Sequence, residues 1–432
     1  MKRRDFLAAA PLILPPGVLA APGRRGANDR IYLGHIGMGG RAKGLYRELE
    51  PLRKSGDCAS VAVCDVDSER LAEAAVMLGG KAATYHDYRA LLLRKDIDAV
   101  VIGTPDHWHA VQTVHAAECG KHIYVEKPAS CTIEESKAMV AATARHGVSV
   151  QVGSQGRSQH EAYLAHRYIV NNLGRVSRVT CWHDPNPIGG DTPDSAPPSN
   201  LDWDLWLGPL RWRPYNSSLA PGRFRWMMES GGGRIRDRGA HVMSCAMYWL
   251  GADGTGPVTV AATGTPPPTA GVWDCPINMD VTYTFKNPDW VMTWNQPGKP
   301  VPPEERRADE ARILRPQYGA VYHGEKEQLV VWGGDGGTWV ERKAREWKPP
   351  AGFQDVYRSP GHMEDWFQGI RSGRPTIMNM EAAAGVSNLC ILGNLAYLLG
   401  RELTWDQRNQ TVAGDEQAAR LMSRPQRHPY HL

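Results

Sequence analysis

At 432 residues the chain is long enough for two or three domains, each with its own core, and 42% hydrophobic against 22% charged residues is the balance of a soluble globular protein. The formal charge of +4 falls to +2 when Lys2, Arg3, Arg4 and Asp5 are set aside, so nothing points to nucleic acid or an anionic membrane. Eight cysteines without a Cys-x-x-Cys pair argue against a thiolate metal site, and at most one disulfide is expected from them.

The chain opens on Lys2-Arg3-Arg4-Asp5-Phe6-Leu7, a charged segment followed by a short apolar run over 8–14 and by small residues around Ala20. The apolar run is too short to span a bilayer, and the adjacent arginines before Asp-Phe-Leu resemble a twin-arginine signal, which carries folded proteins across a bacterial inner membrane. Residues 1–28 therefore read as signal and linker, and the expectation is an exported, periplasmic protein with no membrane span once the signal is removed.

From residue 30 to about 154, short apolar strands (31–36, 59–64, 99–103, 122–125, 148–152) alternate with amphipathic helices (42–55, 68–78, 109–119, 132–146). That alternation predicts a parallel, doubly wound sheet, a Rossmann domain over 29–155. Beyond it a helix over 160–171 leads into a strand over 176–182 and a proline-rich loop over 185–198. Strands at 258–263, 281–285, 290–294, 320–323 and 328–332 then follow without intervening helices. The second domain, 156–410, is thus an α/β domain with a large open, mostly antiparallel sheet, plus helices at 239–250, 361–370 and 381–399. The loop 296–312 and the tail after Ala418, within a C-terminal segment 411–432, read as irregular and mobile.

Gly37-Met38-Gly39-Gly40-Arg41-Ala42 lies where the first strand turns into a helix. Gly37 permits the turn, Gly39 and Gly40 let backbone amides approach a pyrophosphate, and Ala42 lets the helix pack against the sheet. Asp65 ends the second strand, where a carboxylate accepts both adenosine ribose hydroxyls and repels a 2′-phosphate; this favours NAD over NADP, with Asp67 as the rival. Thr104, Pro105 and His109 follow the strand that ends at Gly103, at the carboxyl edge where ligands bind. His107 and His109 lack a third ligand at telling spacing, so no metal site is expected; His109 is read as a hydrogen-bonding group of the cofactor cleft and His107 as partly exposed.

Glu126-Lys127-Pro128 follows the strand 122–125, and the proline restricts the lysine's backbone so that its side chain points reproducibly. Asp237 and His241 are four apart after Gly231-Gly232-Gly233. With a helix starting near Arg238, Asp237 caps it and both side chains share one side, where a carboxylate can raise a histidine's basicity.

These segments resemble the Gfo/Idh/MocA oxidoreductase family, named for glucose–fructose oxidoreductase, inositol dehydrogenase and the rhizopine catabolism protein. The resemblance runs from about Arg30 to Asp406 through the glycine turn, Pro105-Asp106-x-x-His109, Gly120-Lys121-His122, Glu126-Lys127-Pro128 and Asp237-x-x-x-His241. The asparagine usual after the proline is Asp106 here. The resemblance implies hydride transfer between a sugar-type carbon and a nicotinamide, with Lys127, Asp237 and His241 catalytic and Glu126 and Lys127 beside the cofactor. It further implies a homo-oligomer built through the second sheet.

Arg157 and His183 are expected to touch a carbohydrate substrate, and Trp206, with Trp203, Trp212 and Trp226, to be either a sugar-stacking wall or core. Export and a nicotinamide are reconciled if the cofactor is carried folded inside and never exchanged. A sugar oxidoreductase is then the first reading, a glycosidase that oxidises and eliminates transiently the second, and a non-catalytic sugar- or cofactor-binding protein the third.

Overall fold

The computed structural model describes residues 29–299, 318–334 and 337–432. The signal read over 1–28 and most of the loop 296–312 lie outside them.

The first sheet is parallel, built from β1 (Ile31–Ile36), β2 (Cys58–Cys64), β3 (Ala83–Tyr85), β4 (Ala99–Ile102), β5 (His122–Val125) and β6 (Val150–Val152) in the order β3-β2-β1-β4-β5-β6. The order reverses between β1 and β4, which opens a crevice at the carboxyl ends of those strands. All four residues of β4 are buried, as a strand covered on both faces requires. On one face Leu33, Val101 and Tyr124 pack with Leu45 and Leu49; on the other Ile36, Val100, Ile102 and Val125 pack with the helix Asp106–Glu118. The first face is completed from far along the chain: Trp366 and Phe367 of the helix His362–Ser372 join that core, and His362 donates from Nε2 to the Val152 carbonyl. The span read as the second domain therefore contributes a layer to the first sheet.

The second sheet has nine strands: β7 (Val176–His183), β8 (Thr259–Thr265), β9 (Asn278–Phe285), β10 (Trp290–Gln296), β11 (Tyr318–Gly324), β12 (Gln328–Gly334), β13 (Gly337–Val340), β14 (Leu403–Asp406) and β15 (Thr411–Val412), in the order β13-β12-β11-β7-β10-β9-β8-β14-β15. All neighbours are antiparallel except β7 and β10. β9 shows why one face is covered: Met279, Val281, Tyr283 and Phe285 are buried while Asp280 and Thr282 are exposed. The helix Met380–Leu399 is long and apolar enough to cross a membrane, yet most of it is buried here, with Tyr283 donating to its Leu389 carbonyl at 2.8 Å.

Two expectations change. Strands β3, β13, β14 and β15 were not anticipated; each has four residues or fewer, too few for a period-2 pattern to declare itself. The tail is not loose: Arg424 pairs with Glu135 at 2.7 Å, and Tyr430 is buried against Trp108.

Candidate active site

A single cavity of about 890 Å³ runs from the turn after β1 to the near end of β11, at the upper end of the 300–1,000 Å³ usual for small-molecule sites. Its cofactor end is mainly backbone. Gly37 has φ +77°, and a Cβ there would stand 2.8 Å from Thr104 Cγ2, so only glycine makes this turn without displacing the next loop. A Cβ on Gly103 would meet Ala42 Cβ at 2.7 Å, which is how closely the helix Gly40–Glu48 lies on the sheet. Gly39 offers that helix no side-chain cap and its first turn holds no acid, so the leading amides remain available to an anion.

Asp65 lines the cavity and accepts from the amides of Met38 (2.7 Å) and Asp67 (2.9 Å); burial raises its pKa and those two bonds oppose the rise. Asp67 instead caps the helix Ser68–Met77 through the amides of Glu69 and Arg70. Glycine turn, bare helix terminus and carboxylate together fit an NAD-type dinucleotide.

At the chemical end β5 delivers Glu126 and Lys127, with a cis peptide bond between Lys127 and Pro128. Glu126 is an anchor: its Oε1 accepts from Arg41 Nε (2.8 Å) and Gln155 Nε2 (2.9 Å), and Oε2 from the Lys127 amide (3.2 Å). Lys127 Nζ donates to Asp237 Oδ1 at 2.6 Å and to the Asp237 carbonyl at 3.0 Å. Arg225 and Arg238 approach the same carboxylate at 3.4 and 3.5 Å. Burial alone would raise the pKa of Asp237, but Lys127, Arg225 and Arg238 together hold it far below the ordinary carboxylate range.

His241 stacks on Tyr318 (6.2 Å, 10°), which stacks in turn on His183 (6.0 Å, 14°). Burial, then the charges of Lys127 and Arg238, push the His241 pKa well below its usual value, so the ring is neutral at pH 7. The expected capping role of Asp237 is corrected. It is the last residue of the helix Gly233–Asp237, the next helix begins at Gly239 without a side-chain cap, and among the described residues its carboxylate bonds to Lys127 rather than to His241.

Thr104 and Pro105 line the cavity; Thr104 Oγ1 donates to Gln112 Oε1 at 2.7 Å, and Pro105 occupies the N-cap of the helix Asp106–Glu118. The ring of His109 spans the carbonyls of Pro128 (2.7 Å from Nδ1) and Thr104 (3.0 Å from Nε2), tying the two loops together. His107 is fully buried rather than partly exposed, and its Nε2 donates to the Trp206 carbonyl. No cluster able to hold a metal ion occurs among the described residues.

Arg157 does not reach the cavity. It is buried in a two-pronged ion pair with Asp253 (2.6 and 2.7 Å) and bonds to Ser244 and the Ile377 carbonyl. His183 likewise lies outside the lining, behind Tyr318. Trp206 lines the cavity at one edge but stacks on Trp203 in a core cluster; Trp226 lines it too, under Arg234, and Trp212 is exposed.

Sequence reasoning missed Arg41, Gln155, Arg225, Arg238 and Tyr318. The charged run Arg234-Ile235-Arg236-Asp237-Arg238 was a signal for Arg238; nothing local marks Tyr318, which only sheet topology brings to His241.

Comparison with known proteins agrees with this fold. Residues 32–154 match the NAD-binding Rossmann fold of an oxidoreductase family, and residues 188–294 and 351–432 match that family's C-terminal alpha/beta domain. Levoglucosan dehydrogenase of Pseudarthrobacter phenanthrenivorans is 33% identical over 190 residues, 44% of this chain and 42% of that protein. Inositol 2-dehydrogenase of Klebsiella pneumoniae subsp. pneumoniae is 29% identical over 186 residues (42% and 54%), and a glycosyl hydrolase family 109 protein of Shewanella pealeana is 37% identical over 116 (25% of each). The matched stretches thus span about half the length of these relatives, or less.

Among solved structures, a levoglucosan dehydrogenase–NADH complex superposes with TM-score 0.60 at 20% identity, covering 87% of this chain and 99% of that one. WlbA dehydrogenase from Bordetella pertussis, in complex with NADH and UDP-GlcNAcA, gives 0.61 at 18%, again over 87% and 99%. The two matched domains, in their family order and with the fold to go with them, make this chain a member of the Gfo/Idh/MocA oxidoreductase family.

Proposed function

We propose that the protein is an NAD-dependent oxidoreductase acting on a CH–OH group of a sugar, sugar derivative or polyol, with a cofactor that stays bound through the cycle. The observation that carries this reading is the continuity of one cavity between the glycine turn with Asp65 and the Lys127–Asp237 pair with His241. The levoglucosan and inositol dehydrogenase relatives support the substrate class. Asp65 favours NAD over NADP, because its carboxylate would face a 2′-phosphate at short range.

Bound in this cleft, the nicotinamide supplies the hydride acceptor. Neutral His241 takes the hydroxyl proton, since its depressed pKa keeps the ring unprotonated. Two of the Lys127 ammonium donors are held by Asp237, which leaves the third to steady negative charge developing on the substrate oxygen. Asp237 therefore orients Lys127 rather than His241. Anchored Glu126 holds Arg41 at the helix terminus and fixes the backbone that carries Lys127.

The Arg3-Arg4 segment supports export by a twin-arginine route, and retention of the cofactor is the consequence of working where free NAD is scarce. A homo-oligomer through the second sheet is part of the same proposal; its outer face carries Thr180, Thr282, Thr293 and Asn295, none of them buried. The glycosyl hydrolase family 109 relatives favour one alternative, a glycosidase that restores its NAD after elimination. Purified protein examined by absorbance and mass spectrometry is expected to carry NAD(H), and a panel of sugars, polyols and aryl glycosides to give an oxidised sugar. Release of free monosaccharide from an aryl glycoside with no added NAD would replace the redox reading by the hydrolytic one. Protein that neither carries nor binds NAD(H) would end both.

A further inference from the structure

Among the described residues, nothing satisfies the carboxyl group of Asp106. The residue is the first of the helix Asp106–Glu118, is 4% exposed, and lines the cavity. Among the described residues neither of its oxygens takes part in a hydrogen bond or an ion pair, and Oδ2 is buried without any partner. A buried acceptor left unpaired weakens the fold and calls for an explanation; for one that faces a ligand cavity, a ligand group that completes it is such an explanation.

The surroundings of Asp106 indicate which ligand. Arg225, Arg236 and Lys127 are among the charged groups that act on it. Arg225 and Lys127 are two of the three cations of the Asp237 cluster, whereas Arg41, Arg70 and Asp65 line the dinucleotide end. β4 and β5 are adjacent parallel strands, so the segments that carry Asp106 and Lys127 leave the sheet about one strand spacing, roughly 4.8 Å, apart. A substrate with its reacting oxygen against Lys127 thus brings its neighbouring oxygen towards Asp106.

We propose that Asp106 is a specificity residue that hydrogen-bonds the hydroxyl next to the oxidised carbon, so that the site selects vicinal diols over isolated secondary alcohols. The proposal rests on the redox reading above. Burial raises the Asp106 pKa against the pull of the neighbouring Arg225, Arg236 and Lys127, and in either protonation state the group can bond a hydroxyl: the carboxylate accepts and the acid donates.

The test uses the panel sugar that turns over fastest and its monodeoxy counterpart lacking the hydroxyl beside the oxidised carbon, with the full chain, Asp106→Ala and Asp106→Asn. The unsubstituted protein is expected to prefer the diol by about 10–100-fold in kcat/KM. Asp106→Ala is expected to bring the two sugars within about threefold, and Asp106→Asn, which keeps an acceptor oxygen, to retain most of the preference. NADH affinity, read by fluorescence titration, should change by less than about twofold. Both variants should melt at or above the temperature of the unsubstituted protein, since no hydrogen bond is lost and an unpaired buried carboxyl is removed.

Undiminished discrimination by Asp106→Ala overturns the assignment. So does a tenfold or greater loss of NADH affinity, which makes Asp106 a cofactor contact, and so does a lowered melting temperature with equal losses on both sugars, which makes it structural. If the unsubstituted protein oxidises no sugar of the panel, the redox reading falls and this one with it; the other failures leave that reading intact.

Discussion

The two ends of the cavity are built from different materials. At the cofactor end the working groups are mainly backbone: a left-handed glycine and an uncapped helix terminus, with one carboxylate steadied by two amides. At the chemical end they are side-chain charges, with Lys127, Arg225 and Arg238 converging on Asp237 and a neutral histidine beside them. Backbone groups are insensitive to side-chain chemistry but intolerant of added bulk. Charged clusters tolerate bulk better, yet each member sets the state of the others.

The largest effect should come from the chemical end. Lys127→Ala removes the ammonium proposed to meet the substrate oxygen, and kcat is expected to fall about 10²–10³-fold. NADH affinity should be unchanged, because the glycine turn and Asp65 are untouched. Asp237→Asn should lower kcat as well, and the double variant should be little worse than Lys127→Ala alone, since Asp237 acts through Lys127. Additive losses in steady-state kinetics would mean that Asp237 works on something else.

The opposite pattern is expected of Gly37→Ala. The new methyl meets Thr104 Cγ2 at 2.8 Å and the Thr104 amide nitrogen at 3.0 Å, and φ +77° disfavours any L side chain by about 1–2 kcal/mol. NADH affinity should drop at least about tenfold in a fluorescence titration, while kcat at saturating cofactor changes little. A change in kcat without a change in affinity would erase the distinction between the two ends.

The same contrast explains what could be read in advance. The cofactor end lies in contiguous segments, because a βα turn places Gly37, Gly39 and Ala42 within six residues, and Asp65 closes the next strand. The chemical end is assembled from Lys127, Arg225, Asp237, His241 and Tyr318, drawn from two sheets and the segments between them. Lys127, Asp237 and His241 could be named because each sits in a recognisable motif. That Asp237 turns to Lys127 could not, because it depends on one helix ending at Asp237 and another starting at Gly239. Arg157 was misplaced for a related reason: its partner Asp253 is remote in sequence, and a buried ion pair has no local pattern. In the fold, the longer strands were legible from their apolar runs, whereas short edge strands such as β13 and β15 exist because a neighbour pairs with them.

Acid should weaken the histidine-rich side of the site. Burial, then the charge of Arg234, lowers the His183 pKa to about 4, against 6.5 unfolded. Between those values the unfolded chain binds the proton and the folded chain does not. Stability is therefore highest above about pH 6.5 and declines as pH falls towards 4, by up to about 1.4 kcal/mol per pH unit for this one group. His35 and His362, also lowered to about 4 mainly by burial, act in the same direction. Urea midpoints between pH 7.5 and 5 should show this decline, and His183→Gln should flatten part of it. His241 stays neutral in the same range, so the acid limb of kcat/KM should lie well below pH 6.5. A limb near 6.5 would mean that His241 is not held neutral by its surroundings.

The smallest effect should come from Asp65→Asn, which changes charge at the backbone-built end and almost nothing in shape. An amide oxygen can still accept from Met38 or from Asp67 but not from both in the native arrangement, so the turn should lose about 1 kcal/mol of stability. Removing the negative charge lifts the repulsion against a 2′-phosphate while keeping one acceptor for a ribose hydroxyl. The proposed preference for NADH over NADPH, read in paired fluorescence titrations, should therefore narrow by about tenfold, through tighter NADPH rather than much weaker NADH. An unchanged ratio would move the ribose away from Asp65. In that case the two backbone amides would be the whole of its task, and the carboxylate would be a brace of the glycine turn rather than a reader of the cofactor.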